Sequence, residues 1–178
     1  RGQGLATYRE LIRNMAVSAR PDNGALTLIL DKWIGAVENQ VIQKDGLTPG
    51  QEAFDLMVSR KIYEITNSME ERINGFDFGK VIAAYYKGHR TGDMDLQKNA
   101  LRWLCGEYRT KTEAKNDLGV NLIVSDDNWY DFMKLFAEFV VKAGYAGLYI
   151  CMDELVNIYE IPSKVGREYN YSKLLTIY

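Results

Sequence analysis

The stretch Ala146-Gly147-Leu148-Tyr149-Ile150-Cys151-Met152-Asp153-Glu154 decides how this sequence is read. It is a continuous apolar run without alternation, preceded by Gly144 and closed by two acids. Too short for a helix, it reads as a strand buried on both faces, of the kind found inside parallel sheets. In open α/β sheets ligands bind beyond the carboxyl ends of the strands. An acid pair delivered there has the form of a Walker B element, with one carboxylate near a Mg²⁺ shell and one that polarises water. Asp153 then takes the metal role, through water, and Glu154 the catalytic-base role. The plainer alternative is a helix cap, with Asp153 opening a helix through Leu155 and Ile158. A sugar-cleaving carboxylate pair is disfavoured, because adjacent strand residues point to opposite faces.

Outward from this run the periodicity is helical. Upstream, Ser125, Asp126, Asp127 and Asn128 form an N-cap cluster before a stripe of Trp129, Phe132, Met133, Phe136, Phe139 and Val140, which Gly144 ends. Before that lie the short apolar fragment 120–124, the one candidate neighbour for the strand, and a polar connector rich in Lys and Glu. A helix from Asp93 to Glu107 carries Gln97, Ala100, Leu101 and Leu104 on one face and closes at Gly106. Another is capped by Asp77 and runs through Phe78, Val81, Ile82 and Tyr85. Thr48 and Pro49 offer a cap and an N1 proline for a stripe through Phe54, Val58, Ile62, Ile65, Met69 and Ile73, stopped by Gly75. Leu26, Ile29, Leu30, Trp33, Ile34, Val37 and Val41 make a wide stripe that ends at Gly46. Leu5, Tyr8, Leu11, Ile12, Met15 and Ala16 share a face of the first helix, which stops before Pro21. Downstream, Pro162 and Ser163 open a last helix that is still apolar-periodic at Leu174, Leu175 and Tyr178.

The 178 residues suffice for one core, since a chain of this mass buries roughly 70% of its unfolded surface. With 22 Lys+Arg against 24 Asp+Glu, a net charge of -2 argues against a surface built throughout for phosphate backbones. Local basic groups are still present: Arg9, Arg13 and Arg20 in the first helix, and Arg102, Arg109, Lys111 and Lys115 later. With Glu10 and Glu113 beside them, they read as solvated, paired faces, and DNA contact is an indirect alternative. Cys105 and Cys151 read as small buried hydrophobes in a reducing compartment. The single histidine, His89, cannot build a multi-histidine metal site and reads as a solvated helix C-terminus. No apolar run reaches the roughly 20 residues that span a bilayer, so a cytoplasmic location without a membrane partner is expected. Paired aromatics such as Tyr85 and Tyr86, or Trp129 and Tyr130, read as packing.

Several longer motifs carry a family resemblance. The segment Tyr8-Arg9-Glu10-Leu11-Ile12-Arg13-Asn14-Met15, with Arg20-Pro21 and Gly24-Ala25-Leu26, resembles the ATP-binding proteins of bacterial BREX-type phage-defence systems. So do Leu101-Arg102-Trp103-Leu104-Cys105-Gly106-Glu107-Tyr108-Arg109-Thr110-Lys111-Thr112-Glu113-Ala114, Asp126-Asp127-Asn128-Trp129-Tyr130-Asp131, Met152-Asp153-Glu154-Leu155-Val156-Asn157-Ile158-Tyr159 and Glu168-Tyr169-Asn170-Tyr171. The resemblance implies a P-loop ATPase of the AAA+/STAND-like kind, with ATP and Mg²⁺ as ligands. It carries over Asp153 and Glu154 as the Walker B acids and Asn157 as an orienting, nucleotide-side residue. Other phage-defence proteins or further copies of the chain are the implied partners.

One departure matters. A P-loop needs GxxxxGK[ST], whose backbone amides and lysine hold the phosphates, and this sequence has none. The expected fold class is therefore mainly α with one or two buried strands, part of an α/β P-loop NTPase domain with a helical insertion. Residues 1–145 form the helical segment, and 146–178 the Walker B strand and following helix. Together they are one domain truncated at both ends, an ATPase in its parent chain and inactive alone. The alternative is a helical protein-interaction or scaffold domain with no nucleotide chemistry.

Overall fold

A computed structural model describes residues 3–17, 24–69, 75–151 and 158–175. Among them lie eight helices: α1 (Gln3–Arg13), α2 (Ala25–Asp45), α3 (Glu52–Asn67), α4 (Gly75–Thr91), α5 (Met94–Leu104), α6 (Lys111–Leu118), α7 (Trp129–Lys142) and α8 (Lys164–Leu175). The chain divides into two compact units, 1–148 and 149–178.

The mainly helical fold class is what the periodicity predicts. In the first unit, the stripe from Leu26 to Val41 is buried along α2, and Gly46 ends that helix with a left-handed backbone (φ 66°). Asp93 caps α5, its carboxylate accepting from the Leu96 N–H at 3.0 Å. The first unit's core is aromatic and centred on α7. Phe139 of α7 meets Trp33 of α2 edge-on at 5.1 Å and Phe78 of α4 at 5.4 Å, while Phe132 meets Trp103 of α5 at 5.3 Å. Such tilted and T-shaped pairs suit the ring quadrupoles and bury large apolar area at once. α4 and α5 form a tight hairpin because Gly88 has no side chain: a Cβ there would lie 2.8 Å from the Gln97 backbone nitrogen. α1 is latched in its first turn and at its middle. The Leu5 N–H donates to Asp126 at 2.9 Å, and the buried Tyr8 hydroxyl donates to the Leu104 carbonyl at 2.7 Å.

Four expectations are corrected. First, α3 starts at Glu52, not at Pro49, because Gly50 sits at φ 100°, outside any helix, and 48–51 form a turn instead. Its described end is Asn67, and Ile73 lies outside the described residues. Second, the polar connector contains a helix, α6. Thr110 caps it by accepting from the Glu113 N–H at 3.2 Å, and Gly119 (φ 69°) closes it with its N–H on the Lys115 carbonyl.

Third, Asp77 is not the cap of α4 but lies within its first turn, buried, with its carboxylate accepting from the Asn121 and Leu122 N–H groups at 2.9 Å each. This acid ties α4 to the segment that leads into α7. Asp77→Ala strands both donors, and a part-buried donor without a partner costs about 1–3 kcal/mol. We expect that loss in urea unfolding of the 178-residue chain, with Asp77→Asn, which keeps an acceptor oxygen, losing less than the alanine variant. Equal losses would show that the acceptor is not what matters.

Fourth, no strand forms over 146–151. Tyr149 is 89% exposed and Cys151 is exposed, while Leu148 and Ile150 are half-buried. A lone apolar run becomes a strand only by pairing, and the one candidate neighbour, 120–124, is already committed. Its Asn121 and Leu122 N–H groups go to Asp77, the Leu122 carbonyl accepts from Trp103 Nε1 at 2.7 Å, and the Ile123 carbonyl accepts from Asn128 at 3.0 Å. Val120 and Val124 are buried in the core, and 120–124 is not a strand.

Candidate functional site

The acids singled out by the sequence, Asp153 and Glu154, and the flanking Asn157, lie outside the described residues. What the structure describes is the chain on either side of them. On the approach, α7 ends in a Schellman motif: Gly144 (φ 82°) donates to the Val141 carbonyl at 2.9 Å and Tyr145 to the Val140 carbonyl at 3.2 Å. Lys32 of α2 fastens this turn. Its ammonium donates to the Gly144 carbonyl at 3.2 Å and sits 3.7 Å from the centre of the Tyr145 ring. The chain is thus anchored to α2 at Gly144 and Tyr145.

On the far side, within the second unit, Ser163 caps α8 by accepting from the Gly166 N–H at 3.2 Å, as Pro162-Ser163 predict. Arg167 turns back to donate to the Ile161 carbonyl at 2.6 Å, which folds the short connector against the start of the helix. Val165 and Leu175 of α8 are exposed, while the Leu174 side chain and Tyr178 lie outside the described residues.

Carboxylates are hard oxygen donors of the class that suits Mg²⁺. Among the described residues no group of three or more His, Cys, Asp or Glu side chains assembles around a metal position. The cysteines do not supply one. Cys151 is exposed rather than buried, and Cys105 is half-buried with its thiol pushed up to about 11, by burial first and then by Glu107. That thiol stays protonated at neutral pH and is a poor nucleophile.

Of the basic groups the sequence singles out, Arg9, Arg13 and Arg102 are engaged within the protein, and Arg109, Lys111 and Lys115 are exposed. Arg9 donates through Nε to the Gly106 carbonyl at 2.7 Å, and Arg13 pairs with Glu10 at 2.7 Å. Arg102 pairs with Glu113 at 2.8 Å and holds that carboxyl below its ordinary range. Arg20 lies outside the described residues. His89 is exposed in the last turn of α4. The tyrosine pair is packing with polar tips: buried Tyr85 and Tyr86 donate to Asp31 at 2.8 Å and to Asp55 at 3.0 Å, and Tyr108 does the same to Asp117 at 2.8 Å. Burial first, then the neighbouring carboxylate, pushes all three phenols up, so they stay neutral donors across the physiological range.

Sequence reasoning did not find one further feature, a cleft of about 490 Å³ lined from α3, α4 and α6, with Leu96 of α5. Two signals for it were in the sequence. Lys80, Lys87 and Thr91 recur at helical spacing on α4, and Thr110 with Glu113 spells the capping box of the helix that forms its wall.

Fold and sequence together define a helical domain joined to an acid-bearing segment. The chain belongs to the family described as BREX system ATP-binding protein BrxC/D, which it matches over residues 1–178. No curated protein matches it, and no solved structure does. As a member of that family it has a role tied to ATP in phage defence, within a multi-protein defence system. Among the described residues no helix is long and apolar enough to cross a membrane.

Proposed function

We propose that this chain supplies the Walker B acids of a BREX ATPase, and that the phosphate-binding loop comes from chain outside these 178 residues. The observation that carries the reading is family membership over the whole sequence, combined with an apolar run that ends in Asp153-Glu154. Asp153 holds Mg²⁺ through water, Glu154 accepts the proton of the attacking water, and Asn157 orients the nucleotide side of the site. The bound Mg²⁺ supplies charge neutralisation at the phosphates. Residues 1–145 act as the helical insertion of the ATPase domain, and 146–178 carry the acids and the helix that follows. The setting is cytoplasmic, and the partners are other defence proteins or further copies of the chain.

The absence of GxxxxGK[ST] gives the test, because two carboxylates without phosphate-cradling amides and a lysine hold a nucleotide poorly. Calorimetry of the 178-residue chain with Mg-ATP should show no saturable binding in the micromolar range and no hydrolysis. Micromolar affinity would overturn the division of the site between this sequence and its surroundings.

A second reading, a helical interaction domain, has one observation in its favour, the open cleft on α4. A family chain with no phosphate-binding loop anywhere would favour it over the ATPase reading.

A further inference from the structure

We propose that the cleft between α3, α4 and α6 docks an acidic helical segment of a partner protein, with carboxylates at i and i+7 facing Lys80 and Lys87. The inference does not depend on the assignment of Asp153 and Glu154.

The cleft follows one face of α4. Lys80, Lys87 and Thr91 are seven and four residues apart, so they line up along the helix, with Ala83 and Ala84 between them as a floor of small side chains. Small floor residues let another backbone come close. Tyr63 and Leu96 add apolar wall. Seven residues of helix rise about 10.5 Å, and the same rise separates carboxylates at i and i+7 on a docked helix, so the two spacings match. An amphipathic helix laid in such a groove is a common mode of peptide recognition.

The charge balance in the cleft selects an acidic occupant. Two acids line it, and both are engaged. Asp55 pairs with Arg90 at 2.8 Å and accepts from Tyr86, and Asp117 accepts from Tyr108 and faces Arg102 at 3.7 Å. Arg90 is spent in the same pairing. Lys87 has no ion-pair partner among the described residues. Lys80 meets only the Gly119 carbonyl at 3.2 Å and the Phe76 ring at 4.6 Å, which leaves ammonium donors over. The uncommitted charge is thus positive, and it sits on apolar ground. A nucleic-acid backbone fits less well, because its affinity is built from many phosphate contacts and here two uncommitted cations stand beside two lining carboxylates.

The test uses the 178-residue chain and three probes: an alanine-based helical 15-mer with Glu at i and i+7 and Leu at i+3 and i+4, the same peptide with Lys for Glu, and a single-stranded 15-mer oligonucleotide. Titrating the Glu peptide should move the amide resonances of Ala83, Ala84, Lys87 and Leu96 saturably, and the Lys peptide should not. Lys87→Glu, a change at an exposed position that leaves the core intact, should weaken the Glu peptide at least about tenfold, a difference of about 1.4 kcal/mol. Lys80→Gln should weaken it by a smaller factor, with unchanged circular dichroism. Absence of shifts at millimolar Glu peptide, equal binding of the Lys peptide, or undiminished binding by both variants would overturn the proposal. Tighter binding of the oligonucleotide would also overturn it and assign the cleft to nucleic acid.

Discussion

Glu154→Gln, introduced into a family chain that carries both this segment and a phosphate-binding loop, is expected to keep ATP binding within about twofold while turnover falls about 10²–10⁴-fold. The amide has almost the volume of the carboxylate and no charge. It fills the same space, yet it cannot accept the proton that the attacking water must lose as it bonds to phosphorus. On the proposed assignment, binding would be held elsewhere, by the loop amides and lysine and by Asp153 through the metal, so it should survive the change. Asp153→Asn should behave in the opposite way. Removing charge next to Mg²⁺ weakens metal-dependent nucleotide binding itself, and the loss should shrink as Mg²⁺ is raised. Measuring nucleotide affinity and steady-state hydrolysis side by side for the two variants separates the roles. Undiminished hydrolysis by Glu154→Gln would remove that residue from the base role, and a loss of binding in it would make it structural.

How far the sequence carries the reading depends on whether a feature is local. α2, α5, α7 and the start of α8 are legible because their signals sit within a few residues: wide apolar stripes, Asp93 or Ser163 as caps, Gly46 or Gly144 as stops. α6 is hard to see by apolar periodicity because its eight residues bury only Ala114, so there is no stripe to follow. The capping pair Thr110 and Glu113 and the closing Gly119 identify it instead. Asp77 is a harder case. At the start of a stripe an acid looks like a cap, and nothing within reach in the sequence says that its partners are the amides of Asn121 and Leu122, more than forty residues away.

The run before Asp153 shows the same limit for β structure. Its hydrophobicity is local, but a strand is a pairing, and in the one candidate neighbour the Asn121 and Leu122 N–H groups and the Leu122 and Ile123 carbonyls are taken by Asp77, Trp103 and Asn128. The acid pair is an expectation drawn from its place after an apolar run and from the family motifs around it, and it lies outside the described residues. The α4 cleft needs three helices to come together, so no single stretch announces it.

The first unit's stability should depend most on Phe139, and Phe139→Ala is expected to cost about 3–5 kcal/mol. Its ring is fully buried and joins elements far apart in sequence: Trp33 of α2 at 5.1 Å, Phe78 of α4 at 5.4 Å and Phe136 on its own helix at 6.2 Å. Truncation removes the ring's transfer free energy and leaves a cavity that three other bulky, buried rings are too constrained to fill. Both edge-on contacts are lost at once, each worth about 0.5–1.5 kcal/mol beyond buried area. Against the total stability of an ordinary domain, about 5–15 kcal/mol, this is a large share, and at the lower end it brings the chain close to its unfolding midpoint. Val141→Ala, two residues further on at a position 53% exposed, should change stability by less than about 0.5 kcal/mol and serves as the control. Urea midpoints for the two variants at equal slope measure the difference. A cost for Phe139→Ala below about 1.5 kcal/mol would mean that α7 shifts to close the gap, and that the aromatic cluster is not what holds α2, α4 and α7 together.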